Sequence, residues 1–315
     1  MFSTGALRED AHADDAETYI NSPGRGFLGN LACAPASSAV AMRQYAWRGR
    51  EQFLRDTAIA FNHRDHENDY DQYFLLTGVT GRIYNSIFRD RGEDTDEPFG
   101  RWCAYDSPLE LLLFRMVVES SVHGVVAPEF YLVVHDALRP MRLTRELAKT
   151  GSAGNEGPSG AKQPDAGWRP IRVPYNRNKG WPSVVLEVGY SESQKKLQSD
   201  IRFWLRQSEG HVKTVLTVAI RDRAESIIIE KWENGENGRA HAEQHLKITR
   251  NRRTNTATVT GGPLVIGFEN LFSRPISSSI EQDIQLGNDQ LQQIAQVIWQ
   301  EADKASTYSY ARLCI

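Results

Sequence analysis

The chain has 315 residues, of which 40% are hydrophobic, 10% aromatic and 24% charged. That is a globular composition with room for one large core or two small ones. Mean hydropathy is −0.50, and no apolar run approaches the ~20 residues of a membrane span, so a membrane-embedded, collagenous or coiled-coil chain is excluded at this level.

A net charge of −3, from 37 basic and 40 acidic residues, does not describe a globally basic nucleic-acid binder, although it leaves room for a local basic groove. The start, MFSTGALRED, lacks the basic-then-apolar order of a secretory signal. The 3 cysteines, Cys33, Cys103 and Cys314, form no Cys-x-x-Cys pair. An odd, sparse set argues for a reducing compartment. The expectation is therefore an intracellular protein, in cytoplasm or nucleus, with no membrane partner.

Residues 1–35 mix small and polar types without a period and read as a weakly ordered tail. Apolar spacing from Val40 to Phe61 predicts one or two helices, and Phe74 to Phe88 predicts another. Between them His63 to Asp71 is a dense polar stretch, and Arg89 to Pro98 is a charged loop. Residues 36–101 thus read as a helical extension, with the main domain running over 102–315.

Pro128 reads as a first-turn helical proline, followed by Phe130, Val133, Val134, Ala137 and Leu138 at helical spacing. Thr150 to Gln163 is a flexible loop by composition. Asp165 to Pro174 looks extended. Trp181 to Gly189 (WPSVVLEVG) reads as a buried strand. Ser191-x-x-Gln194 matches a capping box. Leu197, Ile201, Trp204 and Leu205 then mark a helix from about Ser193 to Gln207, and Val212 to Ile220 a second strand. That order predicts a βαβ unit with parallel strands. The Asn-Gly pairs at Asn234 and Asn237 predict a hairpin after Ser226 to Trp232. A second hairpin turns around Arg250 to Asn255, Leu264 to Phe268 adds a strand, and a closing helix starts near Asn288.

No phosphate-binding glycine loop, GxGxxG turn or His-Glu-x-x-His pair is present. Gly189-Tyr190-Ser191-Glu192-Ser193 fails the nucleophile-elbow pattern, because Ser193 stands where glycine is required. What stands out is Glu187, a carboxylate inside an apolar strand. Burying it alone is costly, so it must be paired, bind a metal or point off the sheet toward solvent. Asp165 opens the preceding extended segment. If the two segments pair, both carboxylates reach one end of the sheet, where two oxygen ligands suit Mg²⁺.

KQPDAGW, then WPSVVLEVGYSES, then an amphipathic helix and VKTVLTVAI, resembles the PD-(D/E)XK restriction-endonuclease-like superfamily. The likeness is nearest to a bacterial family of restriction-endonuclease type, in which a histidine and an amphipathic helix lie upstream. Here SSVHGVVAPEFYLVVHDAL fits, with His123 at the histidine. The longer pattern, through IIIEKWE to LFSRPI and AQVIW, is similar to uncharacterised fungal proteins with the same core. The resemblance covers about Asp106 to Trp232 and leaves the first hundred residues unexplained. It implies an α/β fold with a mixed sheet and a central βαβ unit. It further implies that Asp165 and Glu187 bind Mg²⁺, with Mn²⁺ as an alternative, to cleave a phosphodiester in nucleic acid. The motif lysine is replaced by Gly189, and the nearest substitutes are Lys195 and Lys196. Without a lysine the developing phosphate charge goes unneutralised, so an inactive nuclease-fold module for nucleic-acid or protein binding is the alternative.

His123 reads equally well as a helix-entry histidine satisfied by backbone. His63, Asp65, His66, Glu67, Asp69 and Asp71 match no ligand frame and read as a solvated loop. Arg250, Arg252 and Arg253 are candidate phosphate contacts or plain solvated charge. Trp168 and Trp181 could stack on a base or pack in the core.

Overall fold

The computed structural model describes residues 16–24, 26–32, 42–62, 73–88, 102–115, 121–151, 154–175, 177–190, 194–221 and 225–313. A helical turn α1 (16–21) and α2 (Gly29–Ala32) precede β1 (Arg43–Ala46), α3 (Arg50–Asn62), β2 (Tyr73–Thr77), α4 (Gly81–Phe88), β3 (Trp102–Asp106) and β4 (Leu111–Arg115). Next come α5 (Ser121–Leu138), β5 (Leu147–Lys149), β6 (Asn155–Gly157), β7 (Gly160–Lys162) and β8 (Ala166–Pro170). The centre is β9 (Val184–Tyr190), α6 (Gln194–Gln207) and β10 (Thr214–Arg221). The chain ends with β11 (Ser226–Asn234), β12 (Ala240–Asn251), β13 (Thr256–Thr260), β14 (Leu264–Ile266), α7 (Phe268–Phe272), β15 (Ile284–Leu286) and α8 (Asn288–Leu313).

The strands make a six-stranded sheet, β1-β2-β4-β3-β7-β6, a seven-stranded sheet, β13-β12-β11-β10-β9-β8-β5, and the pair β14-β15. β1 and β2 are parallel, as are β9 and β10, while their other neighbours run antiparallel. The fold is therefore mixed α/β, and β9-α6-β10 is the expected βαβ unit.

β9 is apolar nearly throughout because both its faces are covered. Side chains alternate across a strand. Val184, Leu186 and Val188 join the core shared with α5 and α8, including Phe130, Val134, Ile294 and Ile298. Val185 faces the other way, into a core with Ile201, Trp204 and Leu205 of α6 and Leu75 and Leu113 of the six-stranded sheet. Glu187 shares the parity of Val185, which points it into the layer between the two sheets.

Several expectations change. The region 36–101 is not purely helical: β1 and β2 are strands, and β2 pairs with β4 across the boundary drawn near Trp102. YFLLT is buried from Tyr73 to Leu76, and a short continuous apolar run carries no period that separates strand from helix. In the tail, Ile20, Phe27 and Leu28 are core residues. Asp106 accepts N–H bonds from Phe27 and Leu28, and Arg202 of α6 donates to the Gly26 carbonyl. The loop before Asp165 contains the hairpin β6-β7, which completes the six-stranded sheet. Gly160 makes this pairing feasible, since at φ +148 a Cβ there would collide with the Tyr105 carbonyl oxygen. Pro128 lies inside α5 rather than in its first turn, so the Gly124 carbonyl has no helical donor. The segments 63–72 and 89–101 and the cap at Ser191 lie outside the described residues. Among the described residues, no helix is long and apolar enough to cross a membrane.

Candidate active site

β8 and β9 pair antiparallel with Ala166 opposite Leu186. One more step of that register sets Asp165 opposite Glu187. The Val188 N–H donates to Asp165 Oδ2 at 2.8 Å, tying the aspartate to the end of β9. The two sequence-predicted carboxylates are thus cross-strand neighbours.

Glu187 is one of four ionisable residues that form a buried floor. Its Oε1 accepts the Trp204 indole N–H at 2.6 Å and lies 3.2 Å from Lys162 Nζ. Its Oε2 lies 3.8 Å from Lys196 Nζ and accepts no hydrogen bond. Asp200, one turn beyond Lys196 on α6, takes the shorter contacts, 2.9 Å to Lys162 and 2.8 Å to Lys196. None of the four residues is more than 2% exposed. Two ammonium groups and two carboxyl groups alternate here.

Burial, and then Asp200, push the Glu187 carboxyl up to about 8 against the opposing pull of Lys162. Burial is the largest influence and would lower both lysines, but the neighbouring groups together outweigh it: Asp200 and then Glu187 at Lys162, and Asp200, then Tyr73 and Asp165, at Lys196. Lys162 and Lys196 are consequently held protonated.

Asp165 lies at the edge of this floor with a side chain 11% exposed. His123 Nε2 is 3.3 Å from Oδ2, and Arg115 Nη2 is 3.6 Å from Oδ1. Burial alone would raise the Asp165 carboxyl, yet His123, followed by Lys196 and Arg115, keeps it well below the usual carboxylate range. Arg115 is itself oriented by the Tyr73 hydroxyl, which accepts from Nε at 3.2 Å and Nη2 at 2.7 Å. The Lys196 ammonium stands 5.6 Å from the Tyr73 ring centroid. Both sheets, α5 and α6 therefore converge on one polar site.

Asp165, Glu187, Lys196 and His123 meet here. Lys195 does not: it is exposed on the outer side of α6, and its carbonyl accepts from Asn30. Sequence reasoning missed Lys162, Asp200, Arg115 and the indole donor of Trp204. Lys162 was hidden in a stretch that reads as loop, although it precedes Asp165 by three residues. Asp200 did carry a signal, because Lys196 and Asp200 interrupt the apolar stripe of α6 at i, i+4. The other candidates resolve structurally. Arg250 pairs with Asp303, and Arg252 with Glu225. Trp168 and Trp181 are core residues.

No protein-family model and no curated protein matches the chain. Among solved structures, the chain is similar to a candidate nuclease belonging to DUF820 from Anabaena variabilis ATCC 29413. The TM-score is 0.33 at 12% identity, over 58% of this chain and 87% of the other.

Proposed function

We propose that this chain is a metal-dependent, nuclease-like protein acting on phosphodiester bonds, with Asp165 and Glu187 as the cation ligands. The observation that carries the reading is the cross-strand placement of these carboxylates, with an ammonium 3.2 Å and another 3.8 Å from Glu187. The donor chemistry fits Mg²⁺, which takes hard oxygens, one or two carboxylates and several waters. Glu187 Oε2 is a buried oxygen lacking a hydrogen bond, which is the kind of atom a cation would satisfy. Among the described residues no three His, Cys, Asp or Glu side chains converge on one metal position, so water and substrate oxygens would complete the shell.

A bound divalent cation would polarise the scissile phosphate and lower the pKa of a water. The chain's own groups then divide the remaining work. His123 and Arg115 keep Asp165 ionised and oriented. Lys162 and Trp204 fix Oε1 of Glu187. Lys196, close to both carboxylates, offsets charge that builds on the attacked phosphate. It thereby fills the role left open by Gly189. Arg115, at the more exposed edge, is positioned to receive a backbone phosphate.

A second reading is favoured by the burial of the floor residues, none above 2% exposure: a nuclease-fold module without catalysis. Calorimetry with Mg²⁺ and Mn²⁺, on wild type and Glu187→Ala, together with a nuclease assay on the same samples, separates the two. Binding and cleavage that both vanish in the variant are expected from the enzyme. Binding without cleavage supports the inactive module. A folded wild type that binds neither ion overturns the metal site.

A further inference from the structure

At the opposite end of the seven-stranded sheet, where β9 and β10 begin, there is a cavity of about 600 Å³. Its walls come from the β8–β9 loop (Pro174, Arg177), the α6–β10 loop (His211, Lys213) and the end of α7 (Asn270, Arg274). Arg177 is only 8% exposed. Its Nη1 donates to the His211 carbonyl at 2.7 Å and its Nη2 to the Trp181 carbonyl at 3.1 Å. Its Nε is buried with no acceptor. Among the described residues no carboxylate lies within ion-pair distance of this guanidinium, so the cation is held by neutral carbonyls alone.

Guanidinium stays protonated in proteins, and burying an unpaired charge is costly. Burial pushes Arg177 down from the usual arginine value and Arg169 adds to the effect, with no acid opposing them. Lys213 brings a second cation to the cavity, on an exposed side chain. Arg274 is already neutralised by Glu281. Glu209 and Glu269 also line the cavity, both as exposed side chains.

We propose that this cavity binds a phosphate-bearing small molecule, whose phosphate supplies the counter-ion that Arg177 lacks within the protein. Two cations, Arg177 and Lys213, line it, which matches the double charge of a phosphate better than the single charge of a carboxylate. The volume lies within the ~300–1,000 Å³ of small-molecule sites and leaves space for a body attached to the phosphate. None of these residues belongs to the charged floor, so the inference stands apart from the nuclease reading.

The test is calorimetric titration of the full chain, in phosphate-free buffer, with adenosine 5′-monophosphate, inorganic phosphate and adenosine. The monophosphate should bind, adenosine should not, and affinity should fall about tenfold or more in Arg177→Met, as loss of a charged hydrogen bond implies. Lys213→Ala, at an exposed position, should weaken binding several-fold and keeps the test open if Arg177→Met does not fold. Binding of inorganic phosphate that is lost in either variant also sustains the inference. Failure of a folded wild type to bind either phosphate probe overturns it. So does equal binding of adenosine, or wild-type affinity in the folded variants.

Discussion

Lys162, Lys196, Glu187 and Asp200 share their charges between the two sheets, with none more than 2% exposed. Arg250 with Asp303 pairs the same chemistry at the surface, where the Asp303 side chain is 52% exposed. The surface pair joins β12 to α8 and contributes about 1 kcal/mol or less. The buried quartet is different in kind. Its desolvation is large enough that hydrocarbon side chains of similar volume would serve stability equally well or better. Stability therefore explains the surface pair and not the quartet. On the proposed nuclease reading, the quartet holds Glu187 and an adjacent ammonium beside Asp165, where a metal-dependent hydrolysis would need them.

The sharpest way to break that contrast is to remove one member. Lys162→Met keeps most of the side-chain volume and deletes the ammonium, leaving Asp200 and Glu187 to share Lys196. Loss of one partner from a buried pair costs about 3–5 kcal/mol, to be read from urea denaturation. The double variant Lys162→Met/Asp200→Leu should recover a substantial part, because it removes the stranded charge as well. A single-variant loss under about 1 kcal/mol would mean the quartet behaves like a surface pair, and the comparison would fail.

Trp204→Phe probes the same floor more gently. It keeps an aromatic ring in the core and removes the N–H that donates to Glu187 Oε1 at 2.6 Å. A hydrogen bond to a charged or strongly polarised group implies a loss of about 1.5–3 kcal/mol. Trp232→Phe is the internal control. Its indole donates to Glu230 Oε2 at 3.0 Å in a part-buried setting, so its loss should be the smaller of the two. Equal losses would show that packing, and not the buried acceptor, sets the cost.

The central unit was legible because its signals are strong and local. WPSVVLEVG has the continuous apolar character of a strand covered on both faces, α6 has its stripe, and the Asn-Gly turns mark β11–β12. Glu187 was legible for the same reason, as the one carboxylate in that run, and Asp165 through the order of the motif. The six-stranded sheet was not legible. β2 and β4 are short and mostly apolar, and they pair with each other across more than thirty residues of chain, so no local period reports the sheet. Lys162 was lost with that sheet. Its importance arises only when Gly160 lets β7 dock against β3 and carries the lysine over Glu187. Lys195 and Lys196 are neighbours in sequence with equal claims on composition, and the helical rotation of α6 decides between them.

The smallest expected effect lies at the surface and depends on pH. Glu281 takes hydrogen bonds from Arg274 at 2.6 and 2.9 Å and from the Ser277 N–H at 2.8 Å. Arg274, and then Ser277, hold its carboxyl down at about 2, below its ordinary 4.5. A carboxyl lowered on folding stabilises the native state above its unfolded pKa, and that contribution disappears as the pH falls through the folded value. Glu281→Gln should therefore lower Tm slightly above about pH 5 and approach wild type near pH 2, with a smaller effect than Trp204→Phe at every pH. The loop carrying Arg274 borders the cavity of Arg177, so the same variant also frees a cation there. If Arg274 then strengthens phosphate binding while Tm falls, the surface pair is competing with the ligand for one guanidinium. A Tm gap that does not change with pH would instead show that Glu281 acts through loop packing and not through its charge.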